Sequence, residues 1–211
     1  MVTPGNSVAD IGCDHAHTGI YLLQAGISPK AIAMDLRKGP LAKAEENVRE
    51  QGLEDRIEVR LSDGLEKLCP GEADTILISG MGGPLITRIL ERKPEVAKSA
   101  KELVLSPQSD LPEFKTRLSD NGFVIADTKI TEEDDKFYFV FRVLPESETV
   151  KWSSGVTPKE IYEKYLLREL KTQKSILQKL ASDDGEKAAS RREEIYNEIR
   201  RTENEINRMR N

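Results

Sequence analysis

From residue 6 to about residue 144 the chain alternates short apolar runs with longer segments of helical spacing, and this alternation restricts the fold more than any other feature. Strands are expected over residues 7–11, 31–35, 57–61, 75–79, 102–106, 123–128 and 137–143. Most are rich in Val, Ile and Leu with little alternation, as suits strands buried on both faces. Helical spacing over residues 16–24, 38–51, 84–91 and 111–120 places helices between them. Strands interleaved with helices build βαβ units and a mainly parallel sheet. The last two strands are joined by the charged run Glu132-Glu133-Asp134-Asp135 instead of a helix, so an antiparallel edge hairpin ends the sheet. The expected fold class is α/β, with a seven-stranded, mostly parallel sheet over residues 1–145.

Beyond Leu144 the character changes. Residues 146–158 are polar, carry Gly155 and the only tryptophan, Trp152, and read as a linker whose Trp docks on the body. Over residues 159–211, Leu166, Leu170, Gln173, Leu177 and Leu180 recur with spacings of 4 and 3. The rhythm returns after Asp183-Asp184-Gly185 at Ala188, Arg192, Ile195, Ile199, Thr202, Ile206 and Met209. A 4-3 rhythm broken by a turn signal describes two antiparallel helices in a coiled-coil hairpin. The seam is thin, and Gln173, Arg192 and Thr202 interrupt it, which favours a hairpin that bends over a rigid rod.

Composition narrows the function classes. In 211 residues there is no apolar run near the roughly 20 residues that cross a bilayer, and the start offers no basic-then-apolar leader. Cys13 and Cys69 are too few for a disulfide framework and lack metal-ligand spacing, and no third ligand joins His15 and His17. A cytoplasmic, metal-independent, monomeric protein away from membranes is expected. Charge is uneven: residues 151–211 hold 14 basic and 11 acidic side chains, the remainder 18 and 26. The basic part suits an anionic partner.

The chemistry is concentrated at strand ends. The first strand runs into Asp10-Ile11-Gly12-Cys13-Asp14-His15, the loop position at which a doubly wound fold holds a cofactor. It departs from the dinucleotide fingerprint, because Asp14 and His17 stand where the second and third glycines belong. A carboxylate repels a pyrophosphate but suits a ligand carrying an ammonium or sulfonium charge. Asp35 ends the second strand, where a carboxylate can accept both ribose hydroxyl protons, and Leu36 follows it. Ser62-Asp63-Gly64 follows the third, where a carboxylate can receive an adenine amino group. Each acid alone also suits a helix cap or turn. Three in succession, on the face where open α/β sheets hold ligands, point to a nucleoside-bearing cation.

This order of acids resembles a class I S-adenosylmethionine-dependent methyltransferase of Rossmann-like fold. More narrowly, Asp10-Ile11-Gly12-Cys13-Asp14-His15-Ala16 and Ser79-Gly80-Met81-Gly82-Gly83, with Glu133-Asp134-x-Lys136-x-Tyr138, resemble the TrmK family. The resemblance spans nearly the whole chain and includes the helical hairpin. It implies S-adenosylmethionine as cofactor and methylation of tRNA at N1 of adenine 22 in the D-loop region. Family members usually begin with an additional helix before the first strand, and Ser106-Pro107-Gln108-Ser109 replaces a related motif after the fifth.

Expected cofactor contacts are Asp10, Gly12, Cys13, Asp14, His15, Asp35, Leu36, Ser62, Asp63, Gly64, Gly80, Met81 and Gly82. Asp14, and secondly His15, are candidates to stabilise a cationic product. The glycines after the fourth strand let backbone approach a planar base, and Met81 can pack on a ring. No proline pair stands there to grip an exocyclic amine, which favours attack by a ring nitrogen. Met81, Gly82, Gly83 and Gln108 are expected at the base, and Lys171, Lys174, Arg191 and Arg192 at tRNA phosphates. Solvated ion pairs are the other reading of those charges. Two other functions stay open: methylation of a small molecule or protein, and a non-catalytic cofactor-binding adaptor that recruits partners through the coiled coil.

Overall fold

The computed structural model describes residues 1–134, 136–147, 159–181 and 185–210. Trp152, most of the expected linker and the Asp183-Asp184 turn lie outside the described residues. The expected strands and helices are present in order: β1 (Val8–Ile11), α1 (His17–Gln24), β2 (Ala31–Asp35), α2 (Lys38–Glu50), β3 (Ile57–Leu61) and β4 (Thr75–Met81). Then come α3 (Gly83–Arg92), α4 (Pro94–Ser99), β5 (Glu102–Pro107), α5 (Leu111–Asp120), β6 (Phe123–Glu133) and β7 (Lys136–Pro145). Two long helices follow, α6 (Lys159–Leu180) and α7 (Glu186–Arg210). The sheet is seven-stranded with order β3-β2-β1-β4-β5-β7-β6. Strands β1 to β5 pair in parallel, and β7 runs antiparallel to β5.

Continuous apolar runs follow from this topology. β1 is buried at all four positions because strands flank it on both edges and helices cover its faces. Its register sets Asp10 beside Ala33 of β2 and Leu77 of β4, so the acid sits at the middle of the sheet near its carboxyl edge. The order reverses at β1, between β2 and β4, the position where open α/β sheets hold their ligands.

At the opposite edge Glu102 is buried, and its carboxylate accepts hydrogen bonds from Thr3 N and Oγ1, Asn6 Nδ2 and Thr75 Oγ1. Such multiple donors are what a buried carboxylate needs to offset lost hydration. They also tie the first residues of the chain to β4 and β5.

The chain divides into two compact units, and the division departs from the expected boundary at residue 145. The first holds Met1–Lys129 and the strand from Tyr138; the second holds Ile130–Phe137 together with α6 and α7. The tip of the β6–β7 hairpin thus groups with the helices. The cause is aromatic packing: the Phe137 ring meets Tyr165 edge-on at 5.6 Å, Arg168 lies over Phe137, and Tyr162 stacks on Tyr165. Lys164 adds an ion pair with Glu132 at 2.6 Å. Among the described residues of the hairpin, the expected seam is the shielded face, with Leu166, Ala188, Ile195, Ile199 and Ile206 buried.

The interruptions in that seam have partners. Thr202 Oγ1 donates to Gln173 Oε1 at 3.3 Å, so two of the polar residues face each other. Arg192 Nη1 donates to the Leu180 carbonyl at 2.8 Å and caps the end of α6.

Candidate active site

The loop after β1 is shaped by backbone left-handedness. Gly12, Asp14 and Ala16 all have positive φ, at 74°, 51° and 61°. Ala16 caps α1 in this conformation, and its N–H donates to the Cys13 carbonyl at 2.9 Å. Two non-glycine residues held left-handed within three positions mark a loop whose shape is imposed by its surroundings. Gly12 N and Cys13 N both donate to the Met34 carbonyl, which anchors the loop on β2. Those two amides are therefore engaged in the scaffold.

Asp10 is 3% exposed, and its Oδ2 is buried with no hydrogen-bond partner among the described residues. Burial, and secondly the Asp35 carboxylate, push its carboxyl up to about 7. Asp35, 5% exposed, accepts the Arg37 N–H on Oδ1 at 2.8 Å, with Arg37 Nε 3.5 Å away. Two neighbouring buried acids, one with an unmatched oxygen, form a pocket of negative potential that favours cations and hydroxyl donors. This fits the sulfonium, ammonium and ribose hydroxyls of S-adenosylmethionine and disfavours a pyrophosphate.

Other predicted residues divide by what they touch. Asp14 is 62% exposed; Oδ2 lies 3.6 Å from His15 Nε2 and Oδ1 3.9 Å from Arg37 Nη2. His15 Nδ1 is buried without a partner among the described residues, while its carbonyl accepts Asn47 Nδ2. Leu36, 63% exposed, and Leu61 offer apolar surface beside Asp35, whose register partner is Leu61. Asp63 is exposed and accepts from Arg92 Nη1 at 2.8 Å. The Ser62 hydroxyl donates to the Gly64 carbonyl and accepts Lys67 N, holding the turn after β3. A Cβ on Gly64 would meet Ile89 Cγ2 at 2.9 Å, so this glycine serves packing as well as the turn. Burial, then Asp10 and Asp35, push the Cys13 thiol up to about 12, leaving it a neutral packing group.

The fourth-strand motif continues the sheet instead of leaving it as a turn. β4 reaches Met81 and pairs with β5 through Pro107, with an irregularity between Ser79 and Met81 at Gly80, whose φ is 75°. Bulges of this kind re-aim side chains beside active sites. Met81 is turned toward β1, because a Cβ on Gly12 would collide with Met81 Cε. Gln108 N donates to the Met81 carbonyl at 2.9 Å, and Gly83 N to the Ser109 carbonyl at 3.2 Å. A Cβ on Gly83 would lie 2.7 Å from that carbonyl, so its bareness lets α3 start against the β5 loop. Gly82 similarly faces Ser109 Oγ.

On the helical unit, Lys174 pairs with Glu203, Arg191 with Glu194 and Glu198, and Arg192 caps α6. Lys171 is exposed on α6. Arg37 lies between the loop and Asp35, and its one signal in the sequence is a basic residue two places after a strand-end acid. Among the described residues there is no group of three metal-ligating side chains, and no helix is long and apolar enough to cross a membrane.

Residues 1–141 match the family described as "Methyltransferase domain". A tRNA (adenine(22)-N(1))-methyltransferase of Bacillus subtilis is 38% identical over 136 residues, which are 64% of this chain and 57% of that relative. The chain thus spans little more than half the length of that curated relative. The crystal structure of the B. subtilis M1A22 tRNA methyltransferase TrmK superposes with a TM-score of 0.83 at 30% identity, over 97% of this chain and 94% of that one. Sp1610 of Streptococcus pneumoniae, crystallised with S-adenosyl-L-methionine, gives a TM-score of 0.82 at 28% identity, over 98% and 94%. Agreement that extends through the helical unit as well as the sheet carries the assignment past the general fold: the chain belongs to the methyltransferase domain family and, within it, to the TrmK family.

Proposed function

We propose that this protein transfers a methyl group from S-adenosylmethionine to N1 of an adenine in tRNA, at position 22 of the D-loop region. The observation that carries the reading is the pair of buried acids at the topological switch point, one with an unmatched oxygen, on β2 and on β1, the neighbour of strand β4, whose end is rich in glycine. When bound, S-adenosylmethionine supplies an electrophilic methyl group on a sulfonium centre. Asp35 would hold the ribose hydroxyls, Asp10 the positive end of the ligand, and Leu36 the face of its adenine. The S-adenosyl-L-methionine in the crystal structure of Sp1610, to which this chain is similar, supports the same choice.

The acceptor nitrogen has an in-plane lone pair at neutral pH. As the N–C bond forms, the C–S electron pair stays on sulfur and the base becomes cationic, so no proton has to move in that step. The protein's work is therefore alignment and exclusion of water, a proximity effect. Asp14, exposed on the loop, would stabilise the cationic product, with His15 3.6 Å from its carboxylate as the second candidate. Lys171, Lys174 and Arg191 on the helical unit are proposed to meet tRNA phosphates, by exchanging carboxylate partners for phosphate where they have them. Arg192 would take part through the α6 cap alone.

Incubation with unmodified tRNA and S-adenosylmethionine, followed by nucleoside analysis, tests the reading. The expected product is 1-methyladenosine at one D-loop adenine, seen also as a reverse-transcription stop. Recovery of N6-methyladenosine or a methylated guanine would overturn it.

A further inference from the structure

An enzyme that methylates N1 of adenine must leave that atom of the Watson–Crick edge to the methyl donor, which makes the Hoogsteen edge the open face for recognition. On the Hoogsteen edge the exocyclic N6 amino group distinguishes adenine from guanine, whose O6 stands there, and N7 beside it is an acceptor in both. A side-chain amide matches that edge with two hydrogen bonds, its oxygen accepting from N6 and its NH2 donating to N7. Guanine presents two acceptors at the same positions, so the amide oxygen would face O6.

Gln108 is an amide in the required place. Its backbone N–H is held by the Met81 carbonyl at 2.9 Å, which ties the start of the β5 loop to the end of β4. Its side chain is exposed, and Nε2 would lie 3.9 Å from a Cβ on Gly80, so the amide lies over the β4 bulge. The amide makes no hydrogen bond among the described residues, in contrast to Ser62 and Asn47 near the same edge. Met81, on the other side of the bulge, points its methyl group over Gly12. Gly12, Met81 and Gln108 therefore form a row across β1, β4 and β5, with the cofactor loop at one end and a free amide at the other.

We propose that Gln108 is the residue that selects adenine, reading N6 and N7 of the target base while its N1 faces the methyl donor. This rests on the methyl-transfer function above and supplies its base specificity. The glycines at 80 and 82 allow the base plane to lie against backbone beneath the amide.

The test compares wild type, Gln108→Leu and Gln108→Ala on two tRNAs, one natural and one with 7-deazaadenine at the target position. Wild type should lose about tenfold in kcat/KM on the 7-deaza substrate. Gln108→Leu and Gln108→Ala should lose about 5- to 150-fold on natural tRNA, the span of a bidentate base contact. Neither variant should lose further on 7-deaza tRNA, and S-adenosylmethionine affinity should be unchanged in both. Full activity in the variants would overturn the proposal, as would a 7-deaza penalty that multiplies with the substitution. If wild type forms no 1-methyladenosine on natural tRNA, the functional reading itself has failed, an outcome distinct from loss confined to the variants.

Discussion

The two units bury very different interiors, and the contrast shows where each places its function. The first packs Val, Ile, Leu and Phe around a sheet covered on both faces, and it tolerates two buried acids at one edge. The second has a one-residue-wide apolar seam, an aromatic cluster at the β-hairpin tip, and charges over the rest of its surface. A thick core can hold Asp10 with an unmatched oxygen because many apolar contacts outweigh that cost. A thin seam has no such reserve, and its polar residues are the ones that have partners: Thr202 with Gln173, and Arg192 with the end of α6. Unsatisfied polarity therefore occurs where a ligand is expected.

The strongest test of that contrast is truncation of one core residue in each unit. Phe114 is 0% exposed on α5 and lies 5.7 Å from the Phe141 ring; it also backs Gly83. Phe114→Ala should destabilise the first unit by about 3–5 kcal/mol and weaken S-adenosylmethionine binding by disturbing the β4 strip. Ile195 is 0% exposed on α7. Ile195→Ala should cost about 2–5 kcal/mol, with the loss confined to α6 and α7. Hydrogen exchange read by mass spectrometry would locate each loss. Accelerated exchange in β1 or β4 of Ile195→Ala, or cofactor affinity changed more than about twofold, would show that the units are not separable.

Much of this division is legible in the sequence. The buried parallel strands announce themselves as continuous apolar runs, because both faces are covered. Asp10 and Asp35 stand out because an acid ends such a run. The 4-3 rhythm marks the seam because the hairpin buries little else. What is not legible depends on contacts distant in sequence. β4 reaches Met81 because a bulge at Gly80 continues the pairing with β5, whereas glycines alone suggest a turn. β6 extends to Glu133, since its polar outer part belongs with the helical unit through neighbours such as Lys164. α4 is only six residues long, too short for periodicity to show. The hydrogen bonds by which Ser62 closes its own turn, and the contact of Arg37 with Asp35, exist only once the turns after β3 and β2 are formed.

The acid with the unmatched oxygen predicts a pH dependence of both stability and cofactor affinity in the first unit. Asp10 has a folded-state value of about 7 against 3.8 ordinarily. Between those values the native protein keeps a proton that the unfolded chain has released. Ligand-free stability should therefore fall as pH rises from about 4 to 7. Cofactor affinity should move oppositely, because a cationic ligand favours the carboxylate and its capture expels the proton. Affinity should rise by up to tenfold per pH unit below 7 and level above it. Calorimetry from pH 5.5 to 8 measures this slope, and Asp10→Asn should flatten it while lowering affinity. A slope that persists unchanged in Asp10→Asn would show that Asp10 is not the group whose proton is expelled on binding.

The smallest effect should come from the polar layer of the hairpin, and its sign is informative. Gln173 and Thr202 are only partly buried, and their hydrogen bond is 3.3 Å long. Such a bond contributes about 0.5–1.5 kcal/mol net, whereas a lone buried partner costs more than the pair is worth. Thr202→Val alone should therefore destabilise the helical unit by about 1 kcal/mol, because Gln173 is left facing an apolar group. Gln173→Leu together with Thr202→Val should recover that loss or exceed wild type, since an apolar layer extends the seam of Ile195, Ile199 and Ile206. Thermal melts followed at the α-helical circular dichroism band would read the difference. If the double variant is no better than the sum of the singles, the contact in the structure is not an energetic pair. If it is better, the hairpin holds a polar layer at some cost to its stability. A polar layer is a known way to hold helix register at some cost in stability, although here the Thr202 hydroxyl also reaches the Glu198 carbonyl of its own helix at 3.0 Å.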